Sequence, residues 1–531
     1  MKLLLYILLL FPVALSAQQR FYPMVDFYKD RLYHTTYEIL PDSVYAYTYT
    51  GASFFPETEE TTFQIHHLNE DKKERKWLGR KLFQEHFFEI KGNGYFITVN
   101  PIVDFSLGRD LHAVTTTNLF CNTRGFEVKG DITDKVSFSS DFRENQQRFA
   151  DYQAHYITQS GEYYPGSGNY IQQNGSVPGA ARTKPFKGDA FDYAYVTGSV
   201  TYRPFQFLRV SLGNNRHFVG SGYRSVLLSD YSANAPYLRF SYRINKKLSG
   251  EAIYGQQLNL LRTEIQSNAT ERQYEKKGFS AHYFTYKPWE FAAISFFEST
   301  VWDRGDSTEI RRVHGLYYNP VPIINTAVLG TKGTRSNSMI GINMLVKLPA
   351  HFHVYGQLAL DDFRSFSPAY QVGMRWSEPF RIRNLFFQVE YNTVPEGFYT
   401  HPNRRLNFSH NNLPLVHPVG NNFSEAIVRL SYEWKRIAIE SKTNLYRTTR
   451  NLNTGMLGDR LLAVSPIPSV IENGRLFLQQ VDVLYRFNRM NNLQIFLSML
   501  YRKEAFPSSD SQTLYVGFGL RTQLENRYFD F

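Results

Sequence analysis

The sequence predicts an all-β protein: a transmembrane antiparallel β-barrel of about eighteen strands with a short N-terminal periplasmic or plug segment. Three observations predict this fold class. The chain begins with an export signal, its later segments alternate apolar and polar residues with a period of two, and tight turns alternate with long polar connections. No proline- or serine-rich linker and no break in composition interrupts the 531 residues, so several ordinary domains are not indicated.

Residues 1–17 have the features of a secretory signal peptide. Lys2 supplies the positive charge, residues 3–15 form an apolar run broken only by Pro12, and small residues precede a cleavage site before Gln18. The run is too short to span a bilayer as a helix, and no cysteine follows the cleavage site to carry a lipid anchor. We therefore expect an exported protein that resides in the bacterial outer membrane.

The composition argues against two classes of exported protein. The single cysteine, Cys121, cannot form an internal disulfide, so the chain is not a disulfide-stapled extracellular scaffold. Tyrosine and phenylalanine are abundant (37 and 43 residues), yet no later segment has the roughly 18 uncharged apolar residues of a transmembrane helix. This combination is typical of a β-barrel, with outer-membrane lipid and the barrel-assembly machinery as partners. No cofactor and no nucleic-acid partner are expected.

Alternation with a period of two recurs along the chain. In residues 237–244 the apolar side chains share one face and the polar ones the other: Leu238, Phe240, Tyr242 and Ile244 against Arg239, Ser241 and Arg243. The same alternation recurs in residues 339–348, 370–376, 426–434 and 514–521. A strand with one face in lipid and one face in a polar lumen requires this pattern. A soluble β-sandwich alternates as well, so the connections must decide between the two.

Connection lengths favour the barrel. Tight turns are predicted at 203–204, 245–247, 287–288, 349–350, 435–436 and 488–492. Long connections are predicted at 147–190, 213–235, 258–276, 303–337, 394–423 and 447–474. Periplasmic turns on one rim and extracellular loops on the other produce this rhythm. Tags at Lys246 or Ala350 should therefore be hidden in intact cells, and tags near Gly166 or Asn411 should be reachable.

Tryptophans occur where interfacial girdles are expected. Trp289, Trp376 and Trp434 lie beside tight turns, and Trp302 lies where a strand meets a long loop.

The predicted domain organisation has three parts: the signal peptide 1–17, an N-terminal segment 18–93, and the barrel 94–531. The N-terminal segment contains one helix candidate at about 69–90, with apolar residues at helical spacing on a basic background: Trp77, Leu78, Leu82, Phe83 and Phe87. A periplasmic plug or lid is the preferred interpretation of this helix. A helix on the membrane surface is the alternative.

The glycines of residues 214–234 raise the question of a phosphate-binding loop. Such a loop needs a buried strand before the glycines, a helix after them, and a third glycine or a Lys-Ser/Thr ending, and none of these is present. The glycines are instead expected to permit tight turns beside the barrel wall, with Phe218 and Tyr223 packed against it. The connection is then either an outer loop or a loop folded into the lumen.

The predicted lumen face carries more basic than acidic residues. The basic ones are Arg209, Arg239, Arg243, Lys347, Arg375, Arg429, Arg486, Arg502 and Arg521, and the acidic ones are Glu251, Glu390, Glu433 and Asp482. One interpretation is a set of ion pairs that brace the wall. The other is that the excess positive charge attracts an anionic glycan or solute.

Three residues of the glycine-containing stretch are candidates for binding an anionic surface polysaccharide. Arg216 and Arg224 could each form paired hydrogen bonds with acidic groups of the polymer, and Tyr223 could stack on a sugar. The competing role is structural, with the arginines paired to lumen carboxylates such as Glu251. The tyrosine-rich residues 156–175 offer further aromatic and amide surfaces, or form a mobile loop.

No catalytic or metal site is predicted. His351 and His353 share one face of a strand, but no third ligand is apparent, so lumen polarity is the preferred interpretation. A Ser–His pair on adjacent strands, as in outer-membrane phospholipases, cannot be identified from the sequence. We therefore expect a protein that is not an enzyme.

Several stretches resemble a known family. They are GNNRHFVGSGYRSVLLSDYSANAPYLRF (213–240), GYFITVNPIVDFSLGRD (94–110), NTRGFEVKGDI (122–132), FRENQQRF (142–149) and FGLRTQLENRYFDF (518–531). They resemble Wzi-like capsule-assembly barrels, and more closely their Bacteroidetes relatives, some of which are associated with gliding motility. The resemblance implies an outer-membrane barrel of about eighteen strands that helps surface polysaccharide attach to the cell. Wzi proteins close the periplasmic mouth with a helical bundle, whereas this chain has only one helix candidate.

Three functions follow from the sequence. The first is a non-enzymatic barrel for surface polysaccharide (capsule or exopolysaccharide) assembly or attachment, with a link to gliding motility. The second is a diffusion channel for anionic or sugar solutes. The third is a barrel partner of a secretion or motility machine.

Overall fold

The computed structural model describes residues 22–23, 30, 53–54, 74–113, 117–165, 170–262, 273–304, 314–458, 461–462, 470–522 and 525–531. The predicted signal peptide and Gly166 lie outside these residues. Eighteen antiparallel strands close into one barrel, which confirms the predicted fold class.

The barrel strands alternate between the two rims. In chain order they are β1 Tyr95–Asp110, β2 Leu119–Ile132, β3 Val136–Arg148, β4 Ala190–Phe205, β5 Leu208–Asn215, β6 Ala235–Arg243, β7 Leu248–Arg262, β8 Tyr274–Trp289, β9 Ala292–Asp303, β10 Ser336–Leu348, β11 Phe352–Leu360, β12 Ala369–Ser377, β13 Leu385–Val394, β14 Phe423–Trp434, β15 Ile437–Asn451, β16 Ile471–Asn488, β17 Leu493–Ala505 and β18 Asp510–Thr522. Each strand pairs with the next in the chain, and β18 pairs with β1 from Tyr515↔Asp110 to Arg521↔Asp104, so the wall has no free edge.

The connections follow the predicted rhythm with three exceptions. One rim, the turn rim, has connections at 133–135, 206–207, 244–247, 290–291, 349–351, 378–384, 435–436 and 489–492. The opposite rim, the loop rim, has the long connections 149–189, 216–234, 263–273, 304–335, 395–422 and 452–470. Three connections on the loop rim are shorter than the rest, at 111–118, 361–368 and 506–509. Because the number of strands is even, β1 begins and β18 ends on the same side of the barrel.

Aromatic side chains lie near the turn rim on the outer face of the wall. Trp289 is 60 % exposed and stacks on Phe291 with ring centroids 5.7 Å apart, and Trp434 is 55 % exposed. Trp376 contacts Phe380 at 5.1 Å. Exposed aromatic rings at one level of a barrel are typical of a membrane interface.

Trp302 is not part of such a girdle, and that prediction is wrong. Its side chain is only 1 % exposed and stacks on Tyr317, with ring centroids 4.6 Å apart. The reason is that the connection between β9 and β10 folds back over the outer face of the wall. There the main-chain amides of Ile323 and Thr326 donate hydrogen bonds to the buried carboxylate of Glu298, which faces outward from β9.

The described helices are short. They are α1 Trp77–Phe83, α2 Asp151–Gln159 and α3 Ile324–Leu329, with 3₁₀ turns at Gly315–Tyr318, Pro379–Arg381 and Arg404–Leu406. Short strands outside the wall are Tyr22–Pro23, Ser53–Phe54, Phe88–Gly92, Glu162–Pro165, Tyr170–Gln173, Arg182–Phe186, Ser409–His410 and Leu413–Pro414. Of the helices in the described ranges, none is long and apolar enough to cross a membrane.

The N-terminal helix is shorter than predicted. Residues 69–73 of the predicted span 69–90 lie outside the described residues; in the remainder α1 covers seven residues, and the chain becomes extended at Phe88–Gly92, which pairs with the start of β1. No residue of α1 is buried, and Phe83 contacts Phe487 at the turn-rim end of β16. These contacts place α1 beside the turn rim, and its role as a periplasmic plug or lid or as a membrane-surface helix stays a prediction. Asp30, far earlier in the N-terminal segment, also reaches the wall, where it forms an ion pair of 3.0 Å with Arg429.

Candidate functional site

The lumen of the barrel is filled by its own connections. An apolar cluster inside the wall combines residues of α2, the 216–234 connection, the 395–422 connection and the segment 525–531. Its members from these parts include Tyr156, Val219, Tyr223, Val226, Leu227, Leu228, Tyr231, Phe398, Tyr399, Phe408, Leu413, Leu415, Val416, Val419, Tyr528 and Phe531. The protein therefore has its core inside the barrel, as expected when inward loops bury apolar surface.

The 216–234 connection is a compact loop held by its own main chain. Val219 and Leu228 form an isolated β-bridge that closes it. Inside the loop the Ser225 hydroxyl donates to the Val219 carbonyl and accepts from the amides of Leu227 and Leu228. Gly220 has φ +134°, a conformation that other residues rarely adopt, and a Cβ there would collide with a wall glutamine. The glycines thus shape a tight turn against the wall.

Wall side chains bind the main chain of this loop. The Glu390 carboxylate on β13 accepts hydrogen bonds from the amides of Tyr223 and Arg224, at 2.7 and 2.9 Å. The Tyr355 hydroxyl donates to the same carboxylate at 2.8 Å. On β11, the Gln357 side chain accepts from the Val226 amide at 2.8 Å. A buried carboxylate with several donors fixes the position of the loop relative to the wall.

The two candidate arginines form ion pairs with carboxylates far along the chain. Arg216 pairs with Glu525 at 3.1 Å, and Arg143 of β3 pairs with the same carboxylate at 3.0 Å. Arg224 pairs with Asp530 at 2.8 Å and with Glu425 of β14 at 3.3 Å. Both guanidinium groups therefore brace the loop against the wall and the segment 525–531.

The predicted structural partner of these arginines was wrong. Glu251 pairs with Arg239 of the neighbouring strand β6, and not with the loop. Arg216, Tyr223 and Arg224 are 8 %, 4 % and 2 % exposed, so a polymer at the outer surface does not contact them in this conformation. Their role in polysaccharide binding stays a prediction, while their contacts are those of the structural alternative.

Ion pairing changes the acidity of the segment 525–531. Burial opposes ionisation of Asp530, but the positive charges of Arg224 and Lys442 hold the pKa of that carboxyl below its usual range. Burial likewise opposes ionisation of Glu525, and the charges of Arg143 and Arg216 lower its pKa. Both side chains are carboxylates at neutral pH, as their ion pairs require.

The predicted lumen-lining residues lie on the inner side of the wall. Arg239 pairs with Glu251. The Arg375 guanidinium lies 4.9 Å from the centre of the Tyr355 ring, and its side chain is buried. Arg429 donates to Gln388 at 2.6 Å and lies 4.9 Å from the centre of the Tyr223 ring. Glu433 accepts from Arg486 at 3.0 Å, and Arg243, half-buried, shares the lumen parity of Arg239.

The two histidines considered for metal binding are not equivalent. His353 is buried on β11, opposite Lys347 and Arg375 on the neighbouring strands, whereas His351 lies in the preceding turn. Cationic neighbours do not favour a metal ion. Across the described ranges, no group of three His, Cys, Asp or Glu side chains could hold one.

A third histidine, His217, was not singled out by the sequence. Both ring nitrogens are inaccessible and have no hydrogen-bond partner among the described residues, and the ring meets Tyr237 edge-on at 4.4 Å. It lines a cavity of about 20 Å³ together with Gln257 and Leu415. Burial, and then the positive charge of Arg239, lowers the pKa of His217 to about 3.

The 395–422 connection, which was not predicted to enter the lumen, supplies much of the lumen core. In the 395–422 connection the Tyr399 hydroxyl donates to the Val226 carbonyl at 2.9 Å, so the two inward loops are joined. Asn411, predicted to be reachable from outside, is only 6 % exposed, and its carbonyl accepts from Ser176 at 2.8 Å. That prediction is wrong because the loop folds into the barrel. The apolar residues Phe398 and its neighbours were the sequence signal that this connection is buried, although the connection as a whole was predicted to be polar.

Comparisons with known proteins identify the fold. No family model matches the chain, and no curated protein matches it. Wzi of Escherichia coli is a solved structure described as an outer-membrane, carbohydrate-binding β-barrel involved in group 1 capsule assembly. It is 10 % identical, with a TM-score of 0.52, over 95 % of this chain and 98 % of its own. OccAB2 of Acinetobacter baumannii is 9 % identical, with a TM-score of 0.41, over 80 % and 96 % of the two chains.

OprD of Pseudomonas aeruginosa is 8 % identical, with a TM-score of 0.39, over 80 % of this chain and 94 % of its own. At these identities the likeness to Wzi shows a shared outer-membrane barrel fold and nothing finer. The closer resemblance to Bacteroidetes gliding-associated relatives receives no support from these matches.

Proposed function

We propose that the protein is a non-enzymatic barrel of the bacterial outer membrane that acts in the assembly or attachment of surface polysaccharide. The observation that carries the proposal is the filled lumen. Inward loops occupy it with an apolar cluster, and cations of the wall and of the 216–234 connection pair with carboxylates of the segment 525–531. A barrel closed in this way works through its surface, which counts against the diffusion channel as the resting function.

The loop rim has the charge that an acidic polymer would meet. The exposed charged side chains in the described parts of the loop-rim connections are mostly basic: Arg182, Lys184, Lys187, Arg335, Arg364, Arg404 and Arg405, against Asp151, Asp189 and Glu396. One of them, Arg405, pairs with Glu275 at 3.1 Å. An excess of exposed basic charge raises the local concentration of an anionic polymer. The polymer would therefore bind this rim and not the buried Arg216 and Arg224.

The shared fold supports the same proposal. The Escherichia coli protein that spans nearly the whole of this chain is described as carbohydrate-binding and as involved in capsule assembly.

Charge reversal on the loop rim tests the proposal. Arg182→Glu combined with Lys184→Glu should lower cell-associated polysaccharide several-fold and raise the polymer released to the medium, with barrel abundance unchanged. The control is Lys246→Glu combined with Lys247→Glu, which makes the same change of charge in an exposed turn of the opposite rim.

The deletion strain provides the second arm of the test. Loss of the protein should strip polymer from the cells while synthesis continues. Unchanged retention of polymer in the deletion strain would contradict the proposal. Open-channel conductance of the purified barrel would instead support a diffusion channel.

A further inference from the structure

The segment 525–531 leaves the wall and enters the lumen. β18 ends at Thr522, and its pairing with β1 ends at Arg521↔Asp104. No residue of 525–531 belongs to a strand or a helix. Its side chains nevertheless lie among the lumen residues, with Asp530 and Phe531 1 % and 3 % exposed. The segment can therefore leave its position without breaking the strand pairing that closes the barrel.

Charged contacts hold the centre of this segment. The Asp530 carboxylate pairs with Arg224 of the inward loop at 2.8 Å and with Lys442 of β15 at 2.9 Å. The Tyr223 hydroxyl donates to the same carboxylate at 2.8 Å. Two cations and a hydroxyl thus surround one carboxylate; Arg224, Tyr223 and Asp530 are buried, and Lys442 is half-buried. Such a site is costly to leave empty, because the buried cations would lose their counter-charge.

The main chain of the segment is also bound by side chains. The Tyr152 hydroxyl of α2 donates to the Phe529 carbonyl at 2.8 Å, and the Tyr446 hydroxyl of β15 donates to the Asp530 carbonyl at 3.0 Å. The Arg502 guanidinium of β17 donates to the Phe531 carbonyl oxygen at 2.8 Å. Side chains from outside the segment thus satisfy three consecutive main-chain oxygens of it, which would otherwise be buried acceptors without donors.

Aromatic rings complete the contacts. Phe531 lies 4.7 Å from Tyr156 of α2, and Tyr528 lies 5.8 Å from Tyr223, measured between ring centroids. Phe529 meets Phe149 at 5.4 Å. The segment thus contacts α2, the inward loop and the wall at once, and adds to the bonds that the wall makes with the loop directly.

We propose that the lumen contains a peptide-binding site whose ligand is the acidic, aromatic segment 525–531 of the same chain, and that this segment is a releasable latch holding the inward loops closed. The latch goes beyond the proposed function, because it requires no polysaccharide. A competing ligand must bring a carboxylate to Arg224 and Lys442 and aromatic rings to Tyr156, so the partner that opens the latch is another acidic, aromatic peptide.

The chain carries its own reporter for release. Cys121, the only cysteine, faces the lumen from β2 and is 6 % exposed. Its sulfur lies 4.0 Å from the Arg527 guanidinium, so the latch covers it. When the segment leaves, a small water-soluble methanethiosulfonate reagent should reach this thiol.

The experiment measures the rate of Cys121 labelling in the purified, folded, full-length barrel. Asp530→Asn removes the charge that two cations share and should raise the rate about 10- to 100-fold, the range expected for loss of a hydrogen bond to a charged group. The matched control is Asp510→Asn, an exposed aspartate at the start of β18, which should label at the parent rate. Heat-modifiable migration on gels confirms that each variant is folded.

A peptide added in trans tests the site itself. A chain that ends at Leu524 should label rapidly, and a synthetic peptide with the sequence of residues 525–531 should protect the thiol again. The same peptide with asparagine in place of Asp530 should need at least roughly a tenfold higher concentration. Failure of the unmodified peptide to protect a folded, shortened barrel would overturn the peptide-binding site.

If the shortened chain does not fold, the rate of Cys121 labelling in the full-length Asp530→Asn protein tests the latch. Labelling of Cys121 at the parent rate in that folded variant would overturn the latch. Either result leaves polymer retention on cells untouched, so failure of the latch and failure of the proposed function can be distinguished.

Discussion

Acid should destabilise the barrel through one buried histidine of the inward loop. His217 has a folded-state pKa of about 3, because burial and the nearby positive charge of Arg239 disfavour its protonated form. In the unfolded chain a histidine titrates near its ordinary pKa of about 6.5. The folded state thus excludes a proton that the unfolded state accepts. The stabilisation is fully present above pH 6.5 and is lost as the pH falls towards the folded pKa.

The magnitude follows from the two pKa values. At pH 5 the unfolded histidine is protonated and the folded one is not, so His217 lowers the free energy of unfolding by about 2 kcal/mol relative to pH 7.5. His217→Phe keeps a ring against Tyr237, whose centroid lies 4.4 Å away, and removes the titration. The parent should therefore lose about 2 kcal/mol more than His217→Phe between the two pH values.

The assay is urea unfolding of the purified barrel in lipid vesicles at pH 7.5 and pH 5. Other buried histidines contribute to the total loss, because burial also lowers the pKa of His410 to about 4. Only the difference between parent and variant isolates His217. Tyr237→Phe, which changes the same contact without removing a group that titrates in this range, should show the parental loss. Equal losses in the parent and His217→Phe would refute the reasoning.

Three further outcomes are expected. Phe240→Arg, on the lipid face, should cost roughly 2–4 kcal/mol of folding free energy near the bilayer midplane. Arg239→Ala, one residue away on the lumen face, should cost much less. Equal loss of heat-modifiable protein in the two variants would show that the faces are exchanged. A tag at Lys246 should stay unlabelled in intact cells and become labelled once the outer membrane is permeabilised, and labelling of intact cells would reverse the orientation. Glu298→Ala should make residues 314–335 more sensitive to added protease than Glu298→Gln, which keeps an acceptor for the Ile323 and Thr326 amides; equal cleavage of both variants would contradict that role.

The strands of the wall could be predicted from the sequence because their alternating pattern depends only on neighbouring residues in the chain. Each strand has one face towards lipid and one towards the lumen, so side chains alternate with a period of two whatever the partner strands are. The register of one pair illustrates this, since Arg239 faces Ile253 and Phe240 faces Ala252 across β6 and β7. Turns of a few residues between such segments then determine which strands are neighbours.

The filling of the lumen could not be predicted in the same way. The aromatic residues Phe398 and Phe408 lie in a connection without periodicity, and their burial depends on a cavity that exists only once the barrel has closed. The burial of Trp302 on the outer face of the wall could not be predicted either. A tryptophan at the end of a strand is exposed to the membrane interface or covered by protein, depending on the path of the next loop, and here the loop residue Tyr317 covers it. Neither path is encoded by a local pattern.

For the loop arginines Arg216 and Arg224, the predicted type of contact was an ion pair with a carboxylate, but the predicted partner was the wrong residue. Pairing with a lumen carboxylate was one predicted role for Arg216 and Arg224, with Glu251 as the example, because Glu251 lies on the predicted lumen face of a strand. The carboxylates on Glu525 and Asp530 lie about 300 residues away, after the last strand. Their position depends on the segment 525–531 turning into the lumen, and the composition of that segment does not predict such a turn.

Ion pairs with other parts of the chain explain the excess of basic residues on the wall. Arg143, Lys442 and Arg429 all belong to wall strands, and each pairs with a carboxylate from outside the wall: Glu525, Asp530 and Asp30, at 3.0, 2.9 and 3.0 Å. The surplus cations of the wall are therefore neutralised by carboxylates of other parts of the chain that enter the lumen. A buried cation without its counter-charge is strongly unfavourable, so the wall selects acidic segments to fill it. The basic charge left for an external polymer is then that of the loop rim, where water and ligand both have access.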